Sequence, residues 1–264
     1  MTPNTAQEAA QALYDDHVAG SAYRPLEGDH KPKNIADAYQ IQDAFIALRL
    51  ADGLTRGGFK LAYTTETMQQ RSGLTEPALG HIFAHTIYQS PAALRCADHI
   101  KLGMECELAV RIDRPIPNGV VHTRGSVAQC VGAVMAAIEV IDSRAPEAIS
   151  DADRALLGVA GNIWNAGIVL GPAVENWQDI DLESVRGAVH VNRELAGEGF
   201  GRDVMGHPLE PLAWLANALD RRGESIPVGS VVITGSLVAP QFLSEGDEVV
   251  VSVDSLGDAV MNVS

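Results

Sequence analysis

Two glutamates, Glu105 and Glu107, flank Cys106 inside the run GMECELAVRI, which otherwise reads as an apolar strand. Side chains alternate across a strand, so residues two apart point to the same face. At a rise of about 3.3 Å per residue their backbones stand roughly 6.6 Å apart, and the two carboxylates can converge. Met104, Cys106 and Leu108 then face the other way, toward a core. A buried pair of carboxylates cannot stay ionised without a counter-charge. A divalent ion supplies one, and all-oxygen ligands suit a hard cation, Mg²⁺ or Mn²⁺. The alternative is that both glutamates line a solvated strand face.

Glu139 is a second anomaly, because every close neighbour in GAVMAAIEVID is apolar or small. A lone carboxylate there is costly unless paired. It is either a third metal ligand or a buried glutamate bridged to an arginine. Asp142 follows at the end of the same strand, as a supporting group or simply the strand's exit. Lys60, in GGFKLAY, is the third anomaly. A lysine on an apolar strand either shuttles a proton, its pKa moved by burial, or snorkels to the surface. Ser236, in TGSL after a strand, offers a hydroxyl and backbone amides that could hold a substrate carboxylate, or is part of a plain turn.

Other motifs carry less. His81 and His85 are spaced i,i+4 without an HExxH around them, which is too sparse for a zinc site. GEGFGR (197–202) has only the first two glycines of a dinucleotide loop and fits a hairpin or loop better. No GxSxG elbow is present, so a serine hydrolase has no support. The three cysteines, Cys96, Cys106 and Cys130, are odd in number and lack CxxC spacing, which fits a reducing cytoplasm.

These residues need elements to position them. The chain has 264 residues, with 46% hydrophobic and 20% charged, the composition of a packed globular protein. Its net charge of -15 repels phosphate backbones and anionic lipid, which argues against nucleic-acid and membrane partners. No apolar run reaches the roughly 20 residues that span a bilayer, and no basic start with an apolar stretch marks a secretory leader. Residues 5–19 predict an amphipathic helix with Ala9, Leu13 and Val18 on one side. Asn34 predicts the cap of a second helix from Ile35 to about Ala51, with a stripe of Ile35, Ala38, Ile41, Phe45 and Leu48. After Gly57 short strands dominate: GGFKLAY, CELAVRI, AAIEVID, AGIVLG, GAVHVN, SVVITG and the pair EVVVSVD and AVMNVS. TETMQQRS predicts a short helix stopped by Gly73, SVAQCVGAVM a helix running into AAIEVID, and LEPLAWLANALDRRG a helix with Pro208 near its first turn. Many strands with few helices between them favour a mixed, rolled or barrel-like α+β sheet over a doubly wound one. The expected division is a helical module over 1–55 and a catalytic domain over 56–264.

The runs GMECELAVRIDRPIP, AAIEVIDSR and VMGHPLEPLAWLANALDRRGESIPVGSVVITGSL resemble the 2-keto-4-pentenoate hydratases. With the 4-oxalocrotonate decarboxylases, these form part of the fumarylacetoacetate hydrolase superfamily. The resemblance runs from about Tyr23 to the C-terminus. It implies that fold type, a divalent ion on Glu105, Glu107 and Glu139, the family's strand lysine at Lys60, and a cytoplasmic homo-oligomer acting on a small 2-oxo acid. It also implies a lyase of aromatic catabolism that hydrates a 2-hydroxy-dienoic acid to a 4-hydroxy-2-oxo acid. The alternatives are a 4-oxalocrotonate-type decarboxylase, an acylpyruvate C–C hydrolase needing a His–Glu pair, and an inactive small-acid binder.

The sequence departs from the family pattern in places. An acidic residue that follows the short helix in the hydratases is here Ala78, as in the decarboxylase branch. The DNASSG-like segment is here NIWNAG (162–167), with Asn162 for an aspartate and Trp164 and Asn165 for small residues. KIGLT has become KLAYT. Asn165 falls where it could contact substrate.

Overall fold

The computed structural model describes residues 1–264. Six α-helices and thirteen strands follow in chain order. The helices are α1 (Pro3–Val18), α2 (Ile35–Ala51), α3 (Glu66–Ser72), α4 (Arg124–Ala128), α5 (Asp151–Ala160) and α6 (Glu210–Arg221). The strands are β1 (Arg56–Ala62), β2 (Ala78–Phe83), β3 (Ile87–Gln89), β4 (Ala92–Leu94), β5 (Leu102–Ile112), β6 (Val131–Asp142) and β7 (Asn165–Leu170). They continue with β8 (Arg186–Val191), β9 (Glu194–Phe200), β10 (Val231–Ser236), β11 (Gln241–Phe242), β12 (Glu248–Val253) and β13 (Gly257–Val263).

The strands form two mixed sheets. The larger runs β2-β1-β10-β5-β6-β7-β3, with β11 beside β5, and the smaller runs β4-β13-β12-β8-β9. Most pairs are antiparallel, but β1–β10, β3–β7 and β4–β13 are parallel. One face of the large sheet contributes Met104, Cys106, Leu108, Ile138 and Val140 to the main core, together with Val189, Val249 and Val251 of the small sheet and Leu212 and Leu215 of α6. The mixed α+β architecture expected from the sequence is therefore present, but the sheet is open and no closed barrel forms.

Local chemistry sets the helix ends. The Thr2 hydroxyl accepts from the Thr5 amide and starts α1, and the Asn34 side chain accepts from the Asp37 amide and starts α2. Gly73 ends α3 at φ +71, a conformation that favours glycine. α1 and α2 share a smaller apolar cluster with Ala78 and Phe83 of β2 and with Leu157, Val159 and Ile163.

Several local expectations shift. Val18 is 65% exposed, because α1 turns its last residue away from the stripe of Ala9 and Leu13. The helix expected over SVAQCVGAVM stops at Ala128, and Gly132–Met135 already belongs to β6, where pairing with β5 outweighs helical periodicity. Pro211, not Pro208, occupies the first turn of α6. The short strand β2 is buried along its whole length, so no alternation of apolar and polar residues marks it in the sequence.

Candidate metal centre

β5 and β6 build the site. Their antiparallel register sets Glu105 directly opposite Glu139, and Glu107 opposite Ala137. All three glutamates leave the same face of the large sheet, the face away from the main core. Glu107 and Glu139 are fully buried and Glu105 is partly so. One carboxylate oxygen from each lies within 4.8 Å of the others. Ala109, Met135, Ala137, Ile168 and Ile233 continue that face as an apolar floor.

Lys60 comes from β1, two strands from β5, and only the curl of the sheet brings it in. Its Nζ lies 3.1 Å from Glu139 Oε2, and its side chain is 3% exposed. The ammonium is thus buried and does not snorkel. Gly80 on β2 makes room for it, since a Cβ there would come within 3.1 Å of Lys60 Cγ.

The polar partners of the cluster are few. The Gly235 amide donates to Glu107 Oε2 at 2.6 Å, and Asn165 Nδ2 donates to Glu139 Oε1 at 2.9 Å. Glu107 Oε1 is buried with no hydrogen-bond partner, and Glu139 Oε2 has only the Lys60 ion pair. Three ionised carboxylates against one ammonium leave two negative charges uncompensated in a buried site. A divalent cation removes that imbalance and would use the orphaned oxygens, so the residues fit a hard metal.

The proton affinities reflect the same imbalance. Burial, then the charge of Glu139, pushes Glu105 up to about 7. Burial, then the charges of Glu139 and Glu105, pushes Glu107 well above the usual carboxylate range. Burial would lower the Lys60 pKa, but the charges of Glu139, Glu105 and Glu107 outweigh it and hold the ammonium protonated. Tyr63 lies close enough to feel both Lys60 and Glu105, and burial raises its phenol to about 12.

The remaining sequence candidates separate. Ser236 pairs in register with Glu107, but its hydroxyl donates to the Val238 carbonyl at 2.6 Å. Asn165 reaches the cluster through Glu139. Asp142 turns elsewhere and is held by Arg144 and by the amides of Ile100 and Lys101. His81 lies on β2 beside the Phe59 ring, and His85 sits in an exposed turn, so the two share no helix face. GEGFGR forms the end of the β8–β9 hairpin and the turn after it. The one histidine–glutamate ion pair, His30–Glu8, is exposed and joins α1 to the turn Gly28–His30, and neither residue is among the three clustered glutamates.

Two supports have roles that the sequence does not show. Gly235 adopts φ +116, and a Cβ there would come within 2.5 Å of Thr64, so only glycine lets its amide reach Glu107. Asn162 is the other. Its Oδ1 accepts from the His81 amide at 2.7 Å and its Nδ2 donates to the His81 carbonyl at 2.8 Å. The side chain thereby imitates a strand and bridges β2 to the segment entering β7. The consecutive positive φ values of Asn162, Ile163 and Trp164 belong to that turn. The glycine in TGSL is a visible clue to the first; the second shows in the sequence only as an asparagine where the family carries an aspartate, with nothing to name its partner.

The family profile of the fumarylacetoacetate (FAA) hydrolase C-terminal domain matches residues 60–264. The chain belongs to this family. A 4-oxalocrotonate decarboxylase of Pseudomonas putida is 30% identical over 97% of this chain and 96% of its own. A 2-keto-4-pentenoate hydratase of Burkholderia vietnamiensis is 29% identical over 96% of this chain and 95% of its own. Among solved structures, the 4-oxalocrotonate decarboxylase of Pseudomonas putida G7, complexed with magnesium and adipate, superposes with a TM-score of 0.92. It is 25% identical and covers 100% of this chain and 99% of its own. The family assignment and the buried carboxylate cluster thus rest on independent observations, one from the whole sequence and one from side-chain geometry.

Proposed function

We propose that this family member is a divalent-metal-dependent lyase that hydrates a 2-hydroxy-dienoic acid to a 4-hydroxy-2-oxo acid. The observation that carries the reading is the buried cluster of Glu105, Glu107 and Glu139 with Lys60 Nζ 3.1 Å from Glu139. The relatives named as hydratases, matched over nearly their whole length, support the reaction class.

Glu105, Glu107 and Glu139 would hold Mg²⁺ or Mn²⁺. A cation bound there supplies Lewis acidity, drawing negative charge onto the C2 oxygen of a 2-oxo acid. The protein's own groups do the rest. Asn165 and the Gly235 amide fix the orientation of two carboxylates, so little reorganisation accompanies the reaction. Lys60, protonated and buried, delivers a proton to the substrate carbon chain and regains one from the water whose oxygen adds at C4. The apolar floor of Ala137, Ile168 and Ile233 excludes water from beneath the reacting atoms. Ser236 is proposed to hold the substrate carboxylate once its bond to Val238 is exchanged.

Decarboxylation of a 4-oxalocrotonate-type acid is the second reading. Ala78, buried where the hydratases carry an acid, and the decarboxylase relatives favour it. The same proposal makes the protein a cytoplasmic homo-oligomer, consistent with its three free cysteines, and keeps the division into 1–55 and 56–264.

The test incubates Mg²⁺-loaded protein with 2-hydroxypentadienoate and with 4-oxalocrotonate, following dienol absorbance and CO₂ together. Absorbance loss without gas supports hydration, and gas supports decarboxylation. No change with either substrate overturns both.

A further inference from the structure

A cavity of about 190 Å³ lies at the seam between α1, α2 and the large sheet, and no residue of the glutamate cluster lines it. Arg49, on α2, is its anomaly. The guanidinium lies over the Phe83 ring at 5.0 Å and near the Phe45 ring at 6.0 Å. Its side-chain hydrogen bond goes to His17 Nε2, not to a carboxylate. Burial, then the Arg49 charge, drops His17 to about 3, so the imidazole is a neutral acceptor. Its other nitrogen faces the Tyr23 hydroxyl at 3.4 Å.

The neighbouring charges are already matched. Arg144, also in the wall, pairs with Asp142 at 2.8 Å. Asp142 is further held by the amides of Ile100 and Lys101. Asp98, at the exposed rim, faces Arg95 at 3.8 Å. The Asp52 carboxylate accepts from the Tyr14 hydroxyl and forms no ion pair with Arg49, although its charge is felt there. Arg49 is therefore a half-buried cation with no carboxylate in ion-pair contact, in a chain with 34 acidic residues available to supply one. A guanidinium carries five N–H donors in a planar fork that matches a carboxylate or phosphate. A cavity of roughly 150 Å³ takes a benzene-sized ligand, so this one admits a small anion and not a nucleotide.

We infer that the seam cavity is a binding site for a small oxyanion, a carboxylate or a phosphate, with Arg49 as its principal donor. The site is separate from the glutamate cluster and does not depend on which reaction that cluster performs. It does adjoin the cluster's support, because the segment 162–166 lines the cavity and carries Asn165, which holds Glu139.

Titration calorimetry on Mg²⁺-loaded protein at constant ionic strength, with sodium succinate and separately with inorganic phosphate, tests this. Saturable one-site binding is expected with at least one of the two, and the tighter one names the chemistry. Arg49→Met should weaken it at least about tenfold, with circular dichroism as the check on folding. Should Arg49→Met fail to fold, Arg49→Lys, which keeps charge but loses the fork, should weaken it several-fold. Glu107→Gln, which disables the cluster, should leave it unchanged. Absence of saturation with both anions overturns the inference. So does binding that survives Arg49→Met or Arg49→Lys undiminished, or binding that Glu107→Gln removes.

Discussion

The two faces of the β5–β6 ladder have opposite characters. On one face Cys106 and Ile138 stand opposite each other within a cluster of 44 buried apolar residues. On the other, one residue along, Glu105 stands opposite Glu139 above a satellite cluster of 8. The backbone is the same, so the pleat alone separates a core from a charged cavity. The first face supplies most of the apolar burial, and the second gathers three carboxylates against one ammonium. Such a division is expected where function needs buried charges that packing would not choose.

Breaking the charged face should have the largest effect. Glu107→Ala should abolish Mn²⁺ binding by calorimetry and lower turnover by at least about three orders of magnitude. Its metal-free stability should equal or exceed that of the parent, because a buried, half-satisfied carboxylate is gone. Retained metal binding would remove the proposed ligand set. Lys60→Met should lower turnover by about two or more orders of magnitude while leaving metal affinity undiminished, because the removed group is a cation. Parallel loss of metal would show that Lys60 organises the carboxylates and does not act on substrate.

The apolar face should respond in the opposite sense. Ile138→Ala should cost about 2–5 kcal/mol in urea denaturation, from lost transfer energy and the cavity left behind. The metal dissociation constant of the variant that stays folded should change little. Asn162→Ala tests the bridge between β2 and the segment entering β7. It leaves the His81 amide and carbonyl without partners, which should cost about 1–3 kcal/mol.

The smallest expected effect is a pH slope. Folding raises Glu105 from 4.5 to about 7 through burial and the charge of Glu139. Between those values the folded state binds more protons than the unfolded state, so stability falls as pH rises. The contribution is fully present below the unfolded value and is lost by about pH 7. Metal-free protein should therefore melt at a progressively lower temperature across that window, and Mg²⁺ should flatten the slope by occupying the deprotonated site. A slope of the same size in Glu105→Gln would assign it to other groups.

Much of the site was legible because strand periodicity is local. Glu105 and Glu107 are two residues apart, and an apolar run makes a glutamate conspicuous, so three acids and Lys60 stood out before any fold was known. The helix caps at Asn34 and Gly73 were readable for the same reason, since each satisfies backbone groups within one turn. Val18, the start of β6 and the role of Pro211 were not, because packing against distant elements decided them.

The sequence by itself determined which side chains share a strand face, where helices begin and end, and that carboxylates outnumber their counter-charges in an apolar setting. Only the tertiary structure decided that Glu139 faces Glu105, that Lys60 crosses two strands to reach it, and that Asn162 and Gly235 supply the missing bonds. The reason is one of range. Pleat and cap obey the geometry of a few adjacent residues, whereas strand register and sheet curl are set by the summed packing of the whole core.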